Sequence, residues 1–385
     1  MKKILIFILT MCISLASALP ALAAEVDTKS LEDMEEVILR VLSSVEFEKE
    51  EYGLENVDFS SVLIGEKIPT YEVKEGQLIE LPRLIFPLIA NDIMVSQIFA
   101  VQDETNGEWY IQLDNSLVDE TIKNVGNNSF AYIYDDYGLY TYSSGEINLI
   151  GADENGKDLS EMKQSMQRED ATEIPECNIS EKNNNLIGSL SENAFVSLNC
   201  SPVKVKNVLN VHSYLEGIPT VYAGATSAYL PVQKIKQPKN THICWAIAIT
   251  SIANYIYKTN HHYNQIVQWF TIGVDKGQTT KQVIANFNQF FNAGYAVGGA
   301  HPAPKKFVKQ LSAGYPVYAA FTSSSGSHAV VIRGCDKSKK TFSVMNPNPN
   351  TTSYTAGSIS STKVWTFVSA YSKKTYTMSD HGFHQ

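Results

Sequence analysis

From Tyr229 to Gln385 the chain carries three acidic residues, Asp275, Asp336 and Asp380, and no glutamate. The same stretch holds 16 lysines and arginines, a net charge of +13. Between Glu25 and Ala228 the balance reverses, with 37 acidic and 13 basic residues and a net charge of −24. A chain of 385 residues with 44% hydrophobic content can fill two cores. The charge boundary near residue 229 predicts two parts of opposite sign, able to dock on each other. An acidic part can also serve only to keep the chain soluble. The missing carboxylates narrow the chemistry open to the second part. It has no H-E-x-x-H motif, and without glutamate it cannot run a glutamate-based zinc hydrolase. Three scattered aspartates also make a poor source of the paired carboxylates that cleave glycosides. No metal or other cofactor is expected. The lysines occur singly or in pairs with no arginine cluster, which argues against a nucleic-acid groove.

The first residues, Met1-Lys2-Lys3, precede an apolar run from Ile4 to about Leu19 and a small-x-small triplet, Ala21-Leu22-Ala23. This pattern predicts a secretory signal peptide over residues 1–23. The run is too short for a membrane anchor, and no other stretch is apolar enough to span a bilayer. The protein is therefore expected outside the cytoplasm, in the medium or against the cell wall. Cys12 would leave with the signal. Cys177 and Cys200 lie in polar sequence and can pair in an oxidising compartment. Cys335 follows an apolar strand pattern and reads as core filler.

The periodicity predicts an α+β chain. A helix runs from Ser30, its cap, to about Phe47, with Leu31, Met34, Ile38, Val41 and Leu42 along its apolar face. Strand patterns follow at 70–73, 84–89, 93–101, 109–113, 130–134, 139–142 and 147–150, with tight turns at Asn91-Asp92 and Asn106-Gly107. These make an acidic α+β domain over 24–150. Residues 151–228 read as a linker: 151 to about 185 is polar, charged and poor in aromatics, while 195–212 can equally form one or two strands leading to the second domain. The second domain, 229–385, puts helices first, at 244–257, 264–269, 280–291 and 303–312. Strands follow at 317–321, 328–334, 342–345 and 364–369. The last residues, with His381 and His384, read as a loose tail.

Cys244 opens the first of those helices. A helix N-terminus carries roughly +0.5 charge in unpaired amides, which favours a thiolate there. A cysteine in that place can equally be one that merely packs. His328 begins the apolar strand His328-Ala329-Val330-Val331-Ile332, after the flexible Ser323-Ser324-Ser325-Gly326-Ser327. It is placed to face a cleft and take a proton from Cys244 through Nδ1. It can also simply cap the strand. His242, two residues before Cys244, is too close in sequence to face it across a cleft. Asn346 ends the next strand, where its oxygen can accept from the imidazole Nε2–H. Asn348 is a second candidate, and an asparagine before proline is also common in plain turns.

The Cys244-Trp245-Ala246 helix start, the Gly326-Ser327-His328-Ala329-Val330-Val331 strand and Asn346-Pro347 together resemble the papain-like cysteine peptidases. The resemblance is to the secreted bacterial branch that includes the staphopain-like enzymes, and it covers roughly Leu230 to Ser369. It implies a papain-like catalytic domain over 229–385, with a helical part carrying the cysteine and a β part carrying the histidine and asparagine. It also implies an acidic α+β pro-domain over 24–150 that inhibits the enzyme from within the same chain by covering the Cys244 cleft. Residues 151–228 would then include an activation segment, cut between Leu215 and Tyr229. The family's oxyanion-hole glutamine falls on Gln237, seven residues before Cys244 where six is the expected spacing. The family's shielding indole falls on Trp365, which can equally be a core residue. The implied activity is a zymogen-derived endopeptidase acting on proteins or peptides, with no nucleic-acid or membrane partner. The same three residues can serve a transamidase or a cell-wall amidase, and a non-catalytic binding module is the remaining alternative.

Overall fold

The computed structural model describes residues 28–152 and 226–385, apart from 66, 75–76, 92, 119–129, 135–137, 144–145, 239–240, 274–275, 325, 348–353 and 371–373. The signal-peptide region with Cys12, the Cys177 and Cys200 pair, residues 153–225 of the 151–228 linker, and Asn348 lie outside the described residues. The chain divides into two compact units, residues 1–33 and 34–385. Most of the acidic region thus shares one unit with the basic region.

Helix α1 spans Thr28–Phe47, so Ser30 lies in its first turn and does not cap it. Met34, Ile38, Val41 and Leu42 are buried, as the spacing requires. Nine strands follow: β1 Leu63–Ile64, β2 Thr70–Lys74, β3 Gln77–Glu80, β4 Arg83–Ala90, β5 Ile93–Gln102, β6 Trp109–Asp114, β7 Phe130–Tyr134, β8 Gly138–Ser143 and β9 Glu146–Ala152. The β4–β5 turn takes Asn91 to φ 51° and the β5–β6 turn takes Gly107 to φ 71°, the left-handed conformation such turns demand.

The basic region contributes β10 Ser227–Tyr229, α2 Cys244–Tyr257, α3 Tyr263–Trp269, α4 Thr280–Phe291, β11 Tyr295–Gly299 and α5 Pro304–Ser312. It then adds β12 Val317–Ser323, β13 Gly326–Asp336, β14 Thr341–Met345, β15 Thr355–Ser358, β16 Thr366–Val368 and β17 Thr375–His384. The fold is α+β. One antiparallel sheet takes the order β1-β4-β5-β6-β15-β14-β13-β12-β17-β11, with β10 also paired to β13 and β16 to β17. A second sheet takes the order β3-β2-β7-β8-β9, in which β2 and β7 are parallel.

Three findings differ from the sequence expectations. First, β4, β5 and β6 do not close a sheet of their own. Strand β6 pairs with β15 through Leu113↔Ala356 and Gln112↔Gly357, so the acidic and basic regions share one sheet. Strand β15, Thr-Ala-Gly-Ser, has no strand-like pattern. It forms because Gly357 lets the chain run against the Phe342 ring, which an added Cβ would meet at 2.7 Å. Second, the supposed tail is β17, lying between β12 and β11. A register shift opposite Ala320 and Phe321 breaks its alternation at Ser379 and Asp380, which hides the strand from a period-2 reading. Third, Ser227–Tyr229, at the end of the stretch read as linker, are paired to β13 as β10.

Candidate active site

Helix α2 starts at Cys244. The residues on either side, Ile243 and Trp245, are buried, and the Trp245 indole N–H donates to the Lys276 carbonyl at 3.1 Å. Trp245 also stacks on Phe270 with ring centres 5.7 Å apart. The first turn is pinned from both sides, while Cys244 between them is partly exposed. Nearly every later residue of α2 is buried, which fixes the helix against β12 and β13. On β12, the Tyr318 phenol is pushed well above its ordinary pKa, first by burial and then by the charges of Cys244 and Asp380. The helix that Cys244 begins is thus packed over the part of the sheet formed by β12 and its neighbour β13.

His328 is the third residue of β13 and only 6% exposed. Asn346 follows the last residue of β14, where Met345 pairs with Val331 of β13. The Asn346 Oδ1 accepts from His328 Nε2 at 2.7 Å. With the proton on Nε2, Nδ1 is the basic nitrogen of the ring. Two rings pack beside the imidazole, Phe367 at 5.9 Å and Tyr376 at 6.5 Å between centres. They face each other across β16 and β17.

Gln237 reaches the same place by its backbone. Its N–H donates to the Pro347 carbonyl at 2.7 Å, one residue past Asn346. Its side-chain Nε2 donates to the Thr241 carbonyl, three residues before Cys244, and its Oε1 is buried with no hydrogen-bond partner among the described residues. The loop from Gln237 to Cys244 is thus tied to the strand end that carries Asn346. Of the two readings of Trp365, its contacts fit the core one: it is fully buried, donates to the Pro302 carbonyl at 3.1 Å, and packs on Phe307 and Phe342. Phe367 and Tyr376 are the rings beside His328. Tyr376 was missed because β17 was read as a tail, although the alternation Thr375-Tyr376-Thr377-Met378 is a strand signal.

Among the other histidines of the basic region, His242 and His301 are exposed. His381 is buried in β17, with Nδ1 2.8 Å from the Gly299 carbonyl, and burial pushes its pKa down. Cys335 is buried in β13, and burial pushes its thiol pKa well up, as befits a core residue. Among the described residues, no group of three or more His, Cys, Asp or Glu side chains is placed to hold a metal ion.

Residues 226–369 match the family described as papain-like cysteine protease AvrRpt2. This part of the chain is a papain-like cysteine peptidase domain. No curated protein matches the chain. The peptidase match begins one residue before β10 and ends one residue after β16. It leaves out the acidic strands β1 to β9, and also β17, which supplies Tyr376 beside His328.

Proposed function

We propose that the protein is a secreted cysteine endopeptidase, made as a precursor, that works through Cys244, His328 and Asn346. The observation that carries this reading is the 2.7 Å contact between His328 Nε2 and Asn346 Oδ1, on a strand packed against the helix that Cys244 begins. In the reaction the Cys244 thiol gives its proton to His328 Nδ1, and the sulfur attacks the substrate carbonyl. The oxyanion is held by the Cys244 backbone N–H, with Gln237 as the second donor. One Gln237 side-chain N–H is used on Thr241, and an amide nitrogen carries two. His328 then protonates the leaving amine, and water releases the acyl group from sulfur. Labelling by an epoxide-type thiol inhibitor, read by mass spectrometry, tests the assignment. It should fall on Cys244 and vanish in Cys244→Ala. Unchanged protein cleavage by Cys244→Ala would sink it.

In the same reading, residues 1–23 export the chain and the acidic region 24–150 restrains the precursor as an intramolecular inhibitor. The −24 charge of residues 25–228 and the +13 charge of residues 229–385 support docking of the two regions. So does the approach of Glu51 to Lys234, 3.9 Å apart, three residues before Gln237. Peptidase activity measured before and after cutting ahead of residue 226 tests the restraint. Full activity in the uncut chain would leave the charge split as a solubility feature.

A further inference from the structure

We propose that residues 34–152 stay bound to residues 226–385 after the chain between them is cut, so that the working enzyme is a two-chain assembly. Inhibition would then end with the cut and not with the departure of the acidic part. The proposal depends on the precursor reading only for the occurrence of a cut.

The junction has the character of a protein interior. Strand β15 has β14 on one side and β6 on the other, so losing the acidic part would expose a bare sheet edge. Next to that edge, Gln112 is buried and acts as a stretch of backbone. Its Nε2 donates to the Val368 carbonyl at 2.7 Å and its Oε1 accepts from the Val368 N–H at 2.8 Å. The buried guanidinium of Arg83 donates to the Ser369 carbonyl at 2.9 Å, and the Tyr134 hydroxyl donates to the Ala370 carbonyl at 2.9 Å. Val368 and Ala370 themselves belong to a core cluster otherwise made of acidic-region side chains such as Ile85, Phe99 and Leu117.

The second anchor is Arg333, the lone arginine between Tyr229 and Gln385. Its side chain is 1% exposed. Its Nη1 and Nη2 donate to the two carboxylate oxygens of Glu48 at 2.8 and 3.2 Å, while Nε donates to the Leu230 carbonyl at 2.7 Å. Lysine supplies every other positive charge of this region. Arginine stands where a planar fork must meet a carboxylate away from water. If the acidic part left, a buried guanidinium would lose its counter-charge, and the Val368 N–H and the Ser369 and Ala370 carbonyls would lose partners at once. A segment that is shed by dilution cannot carry so many groups of this kind.

The test uses the full chain in a Cys244→Ala background, with a recognition sequence for a site-specific endopeptidase inserted between Asn184 and Asn185. After cutting, the two fragments should co-elute on gel filtration at the volume of the uncut protein. They should do so at low salt and at about 1 M, where screening shortens to about 3 Å. Separate elution of the acidic fragment at micromolar concentration, at either salt, overturns the proposal. In the cut protein, Glu48→Gln should raise the fragment dissociation rate at least tenfold, and an unchanged rate removes Arg333 as an anchor. The elution test needs no peptidase activity. A failure of Cys244 labelling and a failure of co-elution are therefore separate results.

Discussion

His328 and Arg333 stand on the same strand, five residues or about 17 Å apart, and both side chains are buried. His328 takes its orienting bond from Asn346, 18 residues away in the same domain. Arg333 takes its partners from Leu230, from Ser343 and from Glu48, which is 285 residues away. At the histidine end Asn346 Oδ1 fixes the ring through Nε2, and in the proposed mechanism Nδ1 carries the proton transfer. At the arginine end, donors are spent on acceptors fixed by the fold. The contrast separates a place made for a reaction from a place made for cohesion.

Cys244→Ala should produce the largest effect, a loss of peptidase activity of about 10³-fold or more, with the fold kept because Cys244 is only partly buried. His328→Ala should match it in activity. Steady-state kinetics and a melting curve on each variant make the measurement. A His328 variant that melts far lower but still cleaves would erase the contrast between the two ends of β13.

Glu48→Ala should do the reverse. Leaving Arg333 buried without its carboxylate should cost about 3–5 kcal/mol of stability, while the folded fraction keeps kcat within a few-fold. Denaturant unfolding of the uncut protein reads the first quantity and active-site titration the second. A mild loss of stability would mean that the Arg333 end of β13 holds the acidic region less firmly than its geometry implies.

Asn346→Ala should lower kcat by up to about 10²-fold, the scale on which a misplaced catalytic group acts, and leave KM little changed. A complete loss would give Asn346 a part in proton transfer itself.

The smallest expected effect concerns pH. Asp114, beside the β6–β15 junction, is buried, and that burial raises its carboxyl pKa although Ser116, Thr355 and Gln112 donate hydrogen bonds to it. A raised carboxyl pKa means that the folded state takes up the proton more readily than the unfolded chain. Its favourable contribution is therefore complete below the unfolded value and is lost as pH rises through the folded one. Acidifying from pH 7 toward 5 should thus stabilise the parent relative to Asp114→Asn. Paired melting curves across that range give the sign, and a parent that loses more than the variant on acidification would reverse it.

Local pattern went a long way in this chain. The helix at 280–291 has the bounds its apolar spacing predicts, and the helix that Cys244 begins was legible because its core face is apolar and its start is marked by polar residues. Cys244 and Asn346 could be singled out at the ends of regular elements and His328 near the start of an apolar strand, with the Cys-Trp-Ala, Gly-Ser-His-Ala-Val-Val and Asn-Pro motifs. Strands β11, β15 and β17 were not legible. Their sequences owe their form to what lies beside them: Gly298 gives way to the His381 ring, Gly357 to the Phe342 ring, and β17 bends at a register shift. The same reason hid Tyr376 beside His328.

The sequence by itself determined the charge split and the α+β class, because those depend on composition and on neighbours within a turn or a strand. Only the tertiary structure decided that β6 joins β15, that Gln112 stands in for backbone at Val368, and that the single arginine of the basic region meets Glu48. Those pairings bring together residues more than 200 positions apart. They exist only once both regions have buried their apolar faces, and no local pattern along the chain can encode which distant carboxylate or sheet edge will be there to meet them.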